Sequence, residues 1–237
     1  MNDTSVNTTS PADRQAAVKK EWLSQLTRHR AIAIIRADSI DQGLSMAKAA
    51  AAGGFQLLEI AWTNNTQPAQ MMTEILSALP DCTVGVGSVL GKEDLQAAIA
   101  ANAQFCFTPH TDPDLISYAI KQSLPIIPGA MTPTEIVTAW RAGAASVKVF
   151  PISALGNAAY IRSLQDPLGP IPLVPTGGVT SETAPDLIAA GAIAVGLSTA
   201  LFPKDEVRQK NWTAIEARSR YLLALLRSPQ KALKNDL

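Results

Sequence analysis

Three charged residues, Arg36, Glu59 and Lys148, interrupt short apolar runs of this 237-residue sequence. The runs are rich in β-branched residues and alternate in polarity, which predicts strands buried in a sheet. A charge inside a buried strand costs on the order of several kcal/mol unless it is paired or has a function. All three lie near the carboxyl ends of their runs, so we expect them to meet at one end of the sheet and to carry the chemistry.

Lys148 has the surroundings that would make its amine a nucleophile. Strand alternation places Ser146, Lys148 and Phe150 on one face, and Val147 and Val149 on the other. If the valines meet covering helices, the lysine faces the interior, where burial disfavours the ammonium form and lowers the pKa. A neutral amine attacks a ketone carbon, so the expected chemistry is a Schiff base with a small keto acid.

Glu59, in the run Leu57-Leu-Glu-Ile-Ala61, is expected to face the same interior. A carboxylate beside a Schiff-base lysine can move protons on and off the substrate carbon and hydroxyl group. A purely structural ion pair between Glu59 and Lys148 is the alternative, and the two interpretations are compatible in a resting enzyme.

Small residues after two later runs predict a pocket for an anion. Thr176, Gly177 and Gly178 end one run, and Gly196 and Ser198 end the last. Backbone N–H groups of glycine loops bind phosphate, and the loops after the seventh and eighth strands are the usual phosphate site of a (β/α)₈ barrel. Glycines are also common in ordinary turns, which leaves that alternative open. The expected ligand has a phosphate at one end and a carbonyl group at the other.

The elements that position these residues repeat along most of the chain. Short β-rich runs alternate with alanine-rich helical stretches, which favours a parallel (β/α)₈ barrel, with a doubly wound open sheet as the competitor. The predicted strands are residues 31–36, 56–61, 83–88, 104–108, 125–128, 146–150, 172–176 and 192–196. The predicted helices between and after them are residues 41–52, 68–79, 94–102, 114–122, 134–142, 158–164 and 184–190.

The predicted fold class is therefore α/β, a (β/α)₈ (TIM) barrel with an additional N-terminal helix and a C-terminal helix. Residues 11–30 and 205–233 are the two terminal helices. We expect residues 1–10 to be a disordered leader and residues 11–237 to form a single barrel domain. The apolar part of the last helix is formed by Tyr221, Leu222, Leu223, Leu225 and Leu226.

Local signals support the helix boundaries. Thr132 and Glu135 have the spacing of a capping box, which begins a helix. Gly53, Gly143 and Gly191 follow predicted helices, at positions where a left-handed backbone conformation is favoured.

Composition argues against several classes of function. The net charge is zero, with 20 Lys and Arg against 20 Asp and Glu, so no surface for nucleic acid is expected. His29 and His110 are far apart, so we expect no metal site, although His110 alone could act as a base. We also expect no cofactor. Cys82 and Cys106 lie in apolar stretches and are expected to be buried thiols.

No run approaches the ~20 apolar residues of a membrane span, and the polar start lacks a signal peptide, so we expect a cytoplasmic protein that binds no membrane.

Several blocks of sequence, taken in order, resemble the class I 2-keto-3-deoxy-6-phosphogluconate (KDPG) aldolases and their 4-hydroxy-2-oxoglutarate aldolase relatives. The resemblance covers roughly residues 31–203. The blocks are Leu58-Glu-Ile, Gly85-Val-Gly-Ser-Val-Leu90, Ile127-Pro-Gly129 with Thr132-Pro-Thr-Glu135, Lys148-Val-Phe-Pro151 and Pro175-Thr-Gly-Gly-Val179.

The resemblance implies a homotrimeric aldolase that forms its Schiff base on Lys148 and uses Glu59 as the general acid and base. It implies that Thr176 contacts the pyruvate part of the substrate. Ser88 stands where the family usually has threonine, a change that keeps the hydroxyl group. The implied reaction cleaves KDPG, a phosphorylated 2-keto acid, to pyruvate and glyceraldehyde 3-phosphate. The residues implied to hold the phosphate are Gly177, Gly178, Gly196 and Ser198.

One departure from the family pattern concerns the substrate carboxylate. The phosphogluconate branch typically binds it with an arginine four residues after the glutamate, a position that Thr63 occupies here. The related 6-phosphogalactonate aldolases are similar in lacking this arginine and carry one at the end of strand one, where this chain has Arg36. Our hypothesis is that Arg36 binds the carboxylate, which leaves the lysine chemistry intact and the identity of the substrate open.

Other functions remain open from the sequence alone. The same iminium chemistry could act on 4-hydroxy-2-oxoglutarate, on 2-keto-3-deoxy-6-phosphogalactonate, or on oxaloacetate by decarboxylation. A phosphate-binding barrel isomerase would use Lys148 only electrostatically. A non-catalytic sugar-phosphate-binding barrel would bind its ligand without turnover.

Overall fold

The computed structural model describes residues 10–63 and 66–227, and it has an α/β architecture with parallel sheets. Strands are found at each of the eight predicted positions, although several are shorter than expected. They are β1 (Ala31–Ile35), β2 (Leu57–Ala61), β3 (Thr83–Gly87), β4 (Cys106–Phe107), β5 (Ile126–Ile127), β6 (Gly129–Ala130), β7 (Val147–Val149), β8 (Leu173–Pro175) and β9 (Val195–Leu197).

Helices alternate with these strands, as the sequence pattern predicts. They are α1 (Pro11–His29), α2 (Ile40–Ala52), α3 (Pro68–Ala78), α4 (Lys92–Ala100), α5 (Pro113–Lys121), α6 (Pro133–Arg141), α7 (Ala158–Leu168), α8 (Thr183–Ala189), α9 (Lys204–Arg208) and α10 (Trp212–Arg227). A short 3₁₀ helix, Ile152–Leu155, follows β7. The capping box of Thr132 and Glu135 is confirmed at the start of α6.

The predicted left-handed residues after helices are confirmed at two of three positions. Gly143 and Gly191 have φ values of 99° and 104°. The prediction for Gly53 is wrong, because this residue keeps a right-handed conformation with φ −79°. The next residue, Gly54, takes the left-handed conformation instead, with φ 105°. Helix α2 still ends at Ala52, as predicted, and only the left-handed residue comes one position later than expected.

Hydrogen bonds join the strands into two parallel sheets. The order in the larger sheet is β5-β4-β3-β2-β1-β9, and the order in the smaller sheet is β6-β7-β8. A parallel bridge between Thr176 and Gly196 joins their edges on one side. On the other side, β5 and β6 are separated by Pro128, which has no N–H group to donate to a sheet. The predicted fifth strand, residues 125–128, is therefore replaced by two short strands, one in each sheet.

Side chains of the strands alternate between two apolar clusters. One cluster lies between the strands and the helices and includes Val147 and Val149. The other lies on the opposite face of the strands and includes Trp22 of α1. Trp22 packs on Phe105, with ring centroids 4.9 Å apart, and its Nε1 donates a hydrogen bond of 3.0 Å to Ser146 Oγ. Helix α1 thus covers the amino ends of the strands, opposite to the end at which the charged residues were predicted to meet.

The prediction of one continuous C-terminal helix over residues 205–233 is wrong. The chain forms α9 and α10, and between them Lys210 adopts a left-handed conformation with φ 55°. Asn211 then begins the second helix, because its side-chain oxygen accepts a hydrogen bond from the N–H of Ala214. This local cap was not part of the sequence prediction, which followed only the apolar pattern.

Helix α10 packs against α2 in the helical layer. Its buried residues are Ile215, Ser219, Leu222, Leu223 and Leu226, three of which were predicted. Tyr221, which was also predicted to pack, is 58% exposed. Residues 1–9 of the expected leader and residues 228–233 of the expected helix lie outside the described residues. Within residues 10–63 and 66–227, no helix has the length and apolarity that would let it cross a membrane.

The bond between Trp22 and Ser146 gives a test of how α1 supports the strands. Trp22→Phe should lower the free energy of unfolding by about 1–3 kcal/mol, because the buried Ser146 hydroxyl loses its partner. Ser146→Ala should also destabilise the protein, since it leaves the buried indole N–H unpaired. The double variant should lose less than the sum of the single losses. Urea denaturation of the four proteins measures this, and strict additivity would contradict the role of the bond.

Candidate active site

Strand β7 places Lys148 in the interior of the strands. The lysine is 4% exposed, and Val147 and Val149 pack in the cluster beneath the helices, so the predicted alternation is confirmed. The Nζ atom of Lys148 lies 4.7 Å from the centroid of the Phe150 ring and 5.9 Å from that of Phe107. The amine is therefore held among aromatic rings, which attract an ammonium ion but do not solvate it as water does.

Burial lowers the pKa of Lys148, because the ammonium form loses its hydration. The negative charge of Glu59 opposes this shift and raises the pKa, whereas the positive charge of Arg36 lowers it further. A lowered pKa increases the fraction of neutral amine near neutral pH. The neutral amine is the form that attacks a carbonyl carbon.

Strand β2 places Glu59 in the same interior, where it is 1% exposed. The neighbouring strand β3 makes room for it, because a Cβ atom at Gly87 would collide with the Glu59 carboxylate. Gly85, which is aligned with Glu59 in the sheet, is equally constrained, since a Cβ there would collide with the ring of Phe105. Because Gly85 and Gly87 have no side chains, β3 leaves room for the Phe105 ring and the Glu59 carboxylate.

The carboxyl group of Glu59 is shifted toward its neutral form. Burial raises the pKa of Glu59, and the positive charges of Lys148 and Arg36 oppose that rise. Its Oε2 atom has no hydrogen-bond partner within residues 10–63 and 66–227. Glu59 and Lys148, which both belong to the described part of the chain, do not form the structural ion pair. Burial thus favours the neutral forms of both groups, which is the arrangement of a general acid and base beside a nucleophile.

A cavity of about 480 Å³ lies at the carboxyl ends of β1, β8 and β9. It is linked to Lys148 through Phe150, whose ring contacts the amine and also lines the cavity. The wall is formed by Ile34, Arg36, Phe150, Thr176, Gly177, Gly178, Val179, Thr180, Ser181, Gly196, Ser198, Thr199, Ala200, Pro203 and Arg218. The predicted residues that the structure brings together here are Arg36, Thr176, Gly177, Gly178, Gly196 and Ser198.

The glycines of this wall are required by local geometry. Gly177 and Gly178 have φ values of 85° and 77°, a left-handed conformation that favours glycine. A Cβ atom at Gly178 would also collide with Ser153, and one at Gly196 would lie 2.6 Å from Thr176 Oγ1. The backbone can therefore come close to a ligand, as a phosphate-binding loop requires.

The charges of the wall suit an anion. Arg36 and Arg218 are the charged residues among the described residues of the wall, and no carboxylate belongs to it. Arg36 directly follows β1, one residue beyond the end of the strand, and its side chain is exposed. Its positive charge lowers the pKa of both Lys148 and Glu59.

Three predicted site residues, Lys148, Glu59 and Ser88, do not line this cavity. Ser88 is half-buried directly after β3, in a left-handed conformation with φ 63°. Thr63, which stands in place of the family arginine, is exposed after β2. His110 is half-buried, and its carbonyl accepts a hydrogen bond of 2.6 Å from Thr108 Oγ1.

Cys82 and Cys106 are buried thiols, as predicted. Burial raises the pKa of both, which keeps them protonated and unreactive. Within residues 10–63 and 66–227, no group of three or more His, Cys, Asp or Glu side chains is arranged to hold a metal ion.

Arg218 is the charged residue of the cavity that the sequence pattern did not indicate. It lies on α10, outside residues 31–203, over which the sequence blocks resemble the aldolases. A signal was present, because Arg218 is three residues after the buried Ile215 and four before the buried Leu222. Positions with this spacing lie on the same side of a helix, so the arginine borders the packed face.

The sequence and fold are similar to those of known aldolases. A family model described as KDPG and KHG aldolase matches residues 23–218. The 2-dehydro-3-deoxy-6-phosphogalactonate aldolase of Escherichia coli (strain K12) is 34% identical over 184 residues, which cover 77% of this chain and 87% of that protein. The 2-dehydro-3-deoxy-phosphogluconate aldolase of Dickeya dadantii is 30% identical over 210 residues, covering 86% of this chain and 98% of that protein. A solved structure described as native KDPGal is 32% identical, covers 83% of this chain and 94% of its own, and has a TM-score of 0.75.

The charges around Lys148 predict opposite effects of two substitutions on its pKa. Arg36→Gln should raise the pKa of Lys148, because it removes a positive charge, and Glu59→Gln should lower it, because it removes a negative charge. The rate of reductive methylation of Lys148 as a function of pH, followed by peptide mass spectrometry, measures both shifts. Exposed lysines in the same digest are the internal standard. Shifts of the same sign in the two variants would contradict this electrostatic account.

Proposed function

The chain belongs to the KDPG and KHG aldolase family, and from that premise we propose that it is a class I aldolase that cleaves KDPG to pyruvate and glyceraldehyde 3-phosphate. Membership of this family indicates an aldolase, a type of lyase. The observation that carries the finer proposal is the buried amine of Lys148, with its lowered pKa, near the buried carboxyl group of Glu59. The anion cavity next to this pair supports a phosphorylated 2-keto acid as the substrate.

The reaction begins at Lys148. Its neutral amine attacks the C2 ketone of the substrate to give a carbinolamine. The neutral carboxyl group of Glu59 protonates the hydroxyl group of that adduct, and loss of water then gives an iminium ion and the Glu59 carboxylate. The iminium withdraws electrons from the neighbouring carbon atoms. The rings of Phe107 and Phe150 lie against the nitrogen and tolerate its positive charge, because aromatic faces attract cations.

Glu59 then transfers the protons. Through a water molecule, its carboxylate removes the proton of the C4 hydroxyl group, the C3–C4 bond breaks, and the bonding electrons move to the iminium to form an enamine. The aldehyde leaves, and the proton held by Glu59 returns to C3. Water hydrolyses the resulting iminium to pyruvate and frees Lys148. The raised pKa of Glu59 suits this exchange, because a carboxyl group acts best as acid and base when its pKa is near the working pH.

The remaining residues of the cavity are proposed to bind the two ends of the substrate. Arg36 binds the carboxylate and Thr176 contacts the pyruvate part, while Ser88 contributes a hydroxyl group from the end of β3. Gly177, Gly178, Gly196 and Ser198 hold the phosphate through backbone N–H groups and a hydroxyl group.

A second candidate substrate is 2-keto-3-deoxy-6-phosphogalactonate, which gives the same products. The observation that favours it is the exposed Thr63 in place of an arginine, together with Arg36 at the edge of the cavity. The values of kcat/KM on the two substrates, which differ in configuration at C4, decide between the candidates.

Three larger features are part of the same proposal. The two sheets are proposed to form one (β/α)₈ barrel, which the bridge between Thr176 and Gly196 and the continuity of the chain through Pro128 support. Residues 11–237 are proposed to be a single domain. The resemblance to the family supports a homotrimer, which sedimentation equilibrium would test.

Trapping with borohydride tests the Schiff base directly. Incubation with pyruvate and borohydride should attach one reduced pyruvate to Lys148, and peptide mapping by mass spectrometry should locate it there. Lys19 is the matched control, because burial also lowers its pKa, although its Nζ lies over the Trp140 ring. Lys148→Arg should abolish the adduct and Lys19→Arg should retain it. An unmodified Lys148 in the folded protein would overturn the proposal.

Arg36 gives a test of carboxylate binding that is independent of the phosphate. Arg36→Gln should raise the pyruvate concentration for half-maximal trapping by about 10- to 100-fold, the typical effect of losing a charge-assisted hydrogen bond. Arg36→Lys should recover part of the loss, because it keeps the charge without the two-pronged geometry. The Michaelis constant for the phosphorylated keto acid should rise as well. An unchanged Michaelis constant would exclude Arg36 as the carboxylate ligand.

A further inference from the structure

Helix α10 brings a positive charge to the anion cavity from outside the strands. Arg218 lines the cavity, is half-buried, and has a buried Nε atom without a hydrogen-bond partner in residues 10–63 and 66–227. Arg220, two residues further along the helix, is exposed and pairs with Glu216 at 2.6 Å. No comparable pair is formed by Arg218 within the described residues. The two arginines therefore have different surroundings, and only Arg218 faces the cavity.

The position of α10 places Arg218 near the loops that were predicted to bind phosphate. The helix contacts α8, which follows the Gly177–Gly178 loop, and α9, which follows the loop of Ser198. Both loops supply residues to the same wall as Arg218. A guanidinium group at this place can supply the full charge that backbone N–H groups and hydroxyl groups lack.

The two arginines of the wall come from different elements. Arg36 follows β1, in the layer of strands, whereas Arg218 lies on α10, in the layer of helices. A ligand with a carboxylate at the reactive carbon and a phosphate at the other end can therefore be bound by one arginine at each anionic group.

We infer that Arg218 binds the phosphate of the substrate and makes the enzyme select phosphorylated over unphosphorylated 2-keto acids. This inference rests on the proposed aldolase function and deepens it by assigning the specificity of the same site. Helix α10 is then a specificity element as well as a part of the packed helical layer.

Glu206 of α9 offers a structural explanation that the test must separate. Its Oε2 atom is also buried without a hydrogen-bond partner in the described part of the chain, and α9 contacts α10. If Arg218 served only to compensate this carboxylate, its removal would reduce stability without changing substrate preference. Glu206 does not line the cavity, so a role in binding the ligand is assigned to Arg218 alone.

The experiment compares Arg218→Gln with the matched control Arg220→Gln from the same helix. The first measurement is the ratio of kcat/KM for KDPG to kcat/KM for its unphosphorylated form, 2-keto-3-deoxygluconate. The second is the inhibition constant of inorganic phosphate. In Arg218→Gln the ratio should fall, and the inhibition constant should rise, by about 10- to 100-fold. Arg218→Lys should recover part of both effects, and Arg220→Gln should keep both near the wild-type values.

The outcomes distinguish this inference from the proposed function. If Arg218→Gln keeps the ratio and the inhibition constant of the wild type, the inference is wrong, even when pyruvate is still trapped on Lys148. A lower melting temperature with an unchanged ratio would assign Arg218 to packing against Glu206 instead. If the wild type cleaves neither substrate, the proposed function fails, and the binding of inorganic phosphate, measured by calorimetry, still tests the arginine. Phosphate binding of equal strength in Arg218→Gln and the wild type would overturn the inference in that case too.

Discussion

The site depends on burying two ionisable side chains, Lys148 and Glu59, among apolar strands. Unpaired charges in such surroundings are strongly disfavoured, so burial lowers the pKa of the lysine and raises that of the glutamate. These are the directions that a nucleophilic amine and a proton-exchanging carboxyl group require. The same burial is unfavourable for stability, and the apolar clusters on both faces of the strands must compensate for it. The reactivity proposed for these two residues is therefore a consequence of placing them where the fold disfavours their charges.

This burial requires space, which the sequence provides by omitting side chains. Gly85 and Gly87 of β3 leave room for the Phe105 ring and the Glu59 carboxylate. Gly129 of β6, aligned with Lys148, has the backbone of Pro109 where a Cβ would be. In a close-packed interior, one added methyl group at such a position must displace its neighbours. The glycines near Lys148 and Glu59 are thus explained by packing, whereas Gly177 and Gly178 of the cavity wall are explained by backbone conformation as well.

The sequence predicted what depends on local pattern. The alternation around Lys148 and the capping box at Thr132 follow from a few neighbouring residues, and both are confirmed. The errors arise where a tertiary contact or a single backbone conformation decides. Left-handed Lys210 divides the last helix, and α10 lies so close to Gly53 that a Cβ there would collide with Ser219, while Gly54 adopts the left-handed conformation. Arg218 reaches the cavity only because α10 folds back over α8 and α9, which no pattern within the helix specifies.

Under the proposed function, Arg36 would connect the binding of the substrate to the chemistry of Lys148 and Glu59. In the free protein its charge lowers the pKa of both Lys148 and Glu59. A substrate carboxylate bound to Arg36 would neutralise that charge. The pKa of Glu59 would then rise further, which would make the Glu59 carboxylate a stronger base. The positive charge near the pair then comes from the iminium at C2 and no longer from the arginine. In the proposed reaction, positive charge is thus located at the iminium, which must accept the electrons of the C3–C4 bond. Glu59 removes the proton of the C4 hydroxyl group only after carboxylate binding at Arg36 has made Glu59 a stronger base.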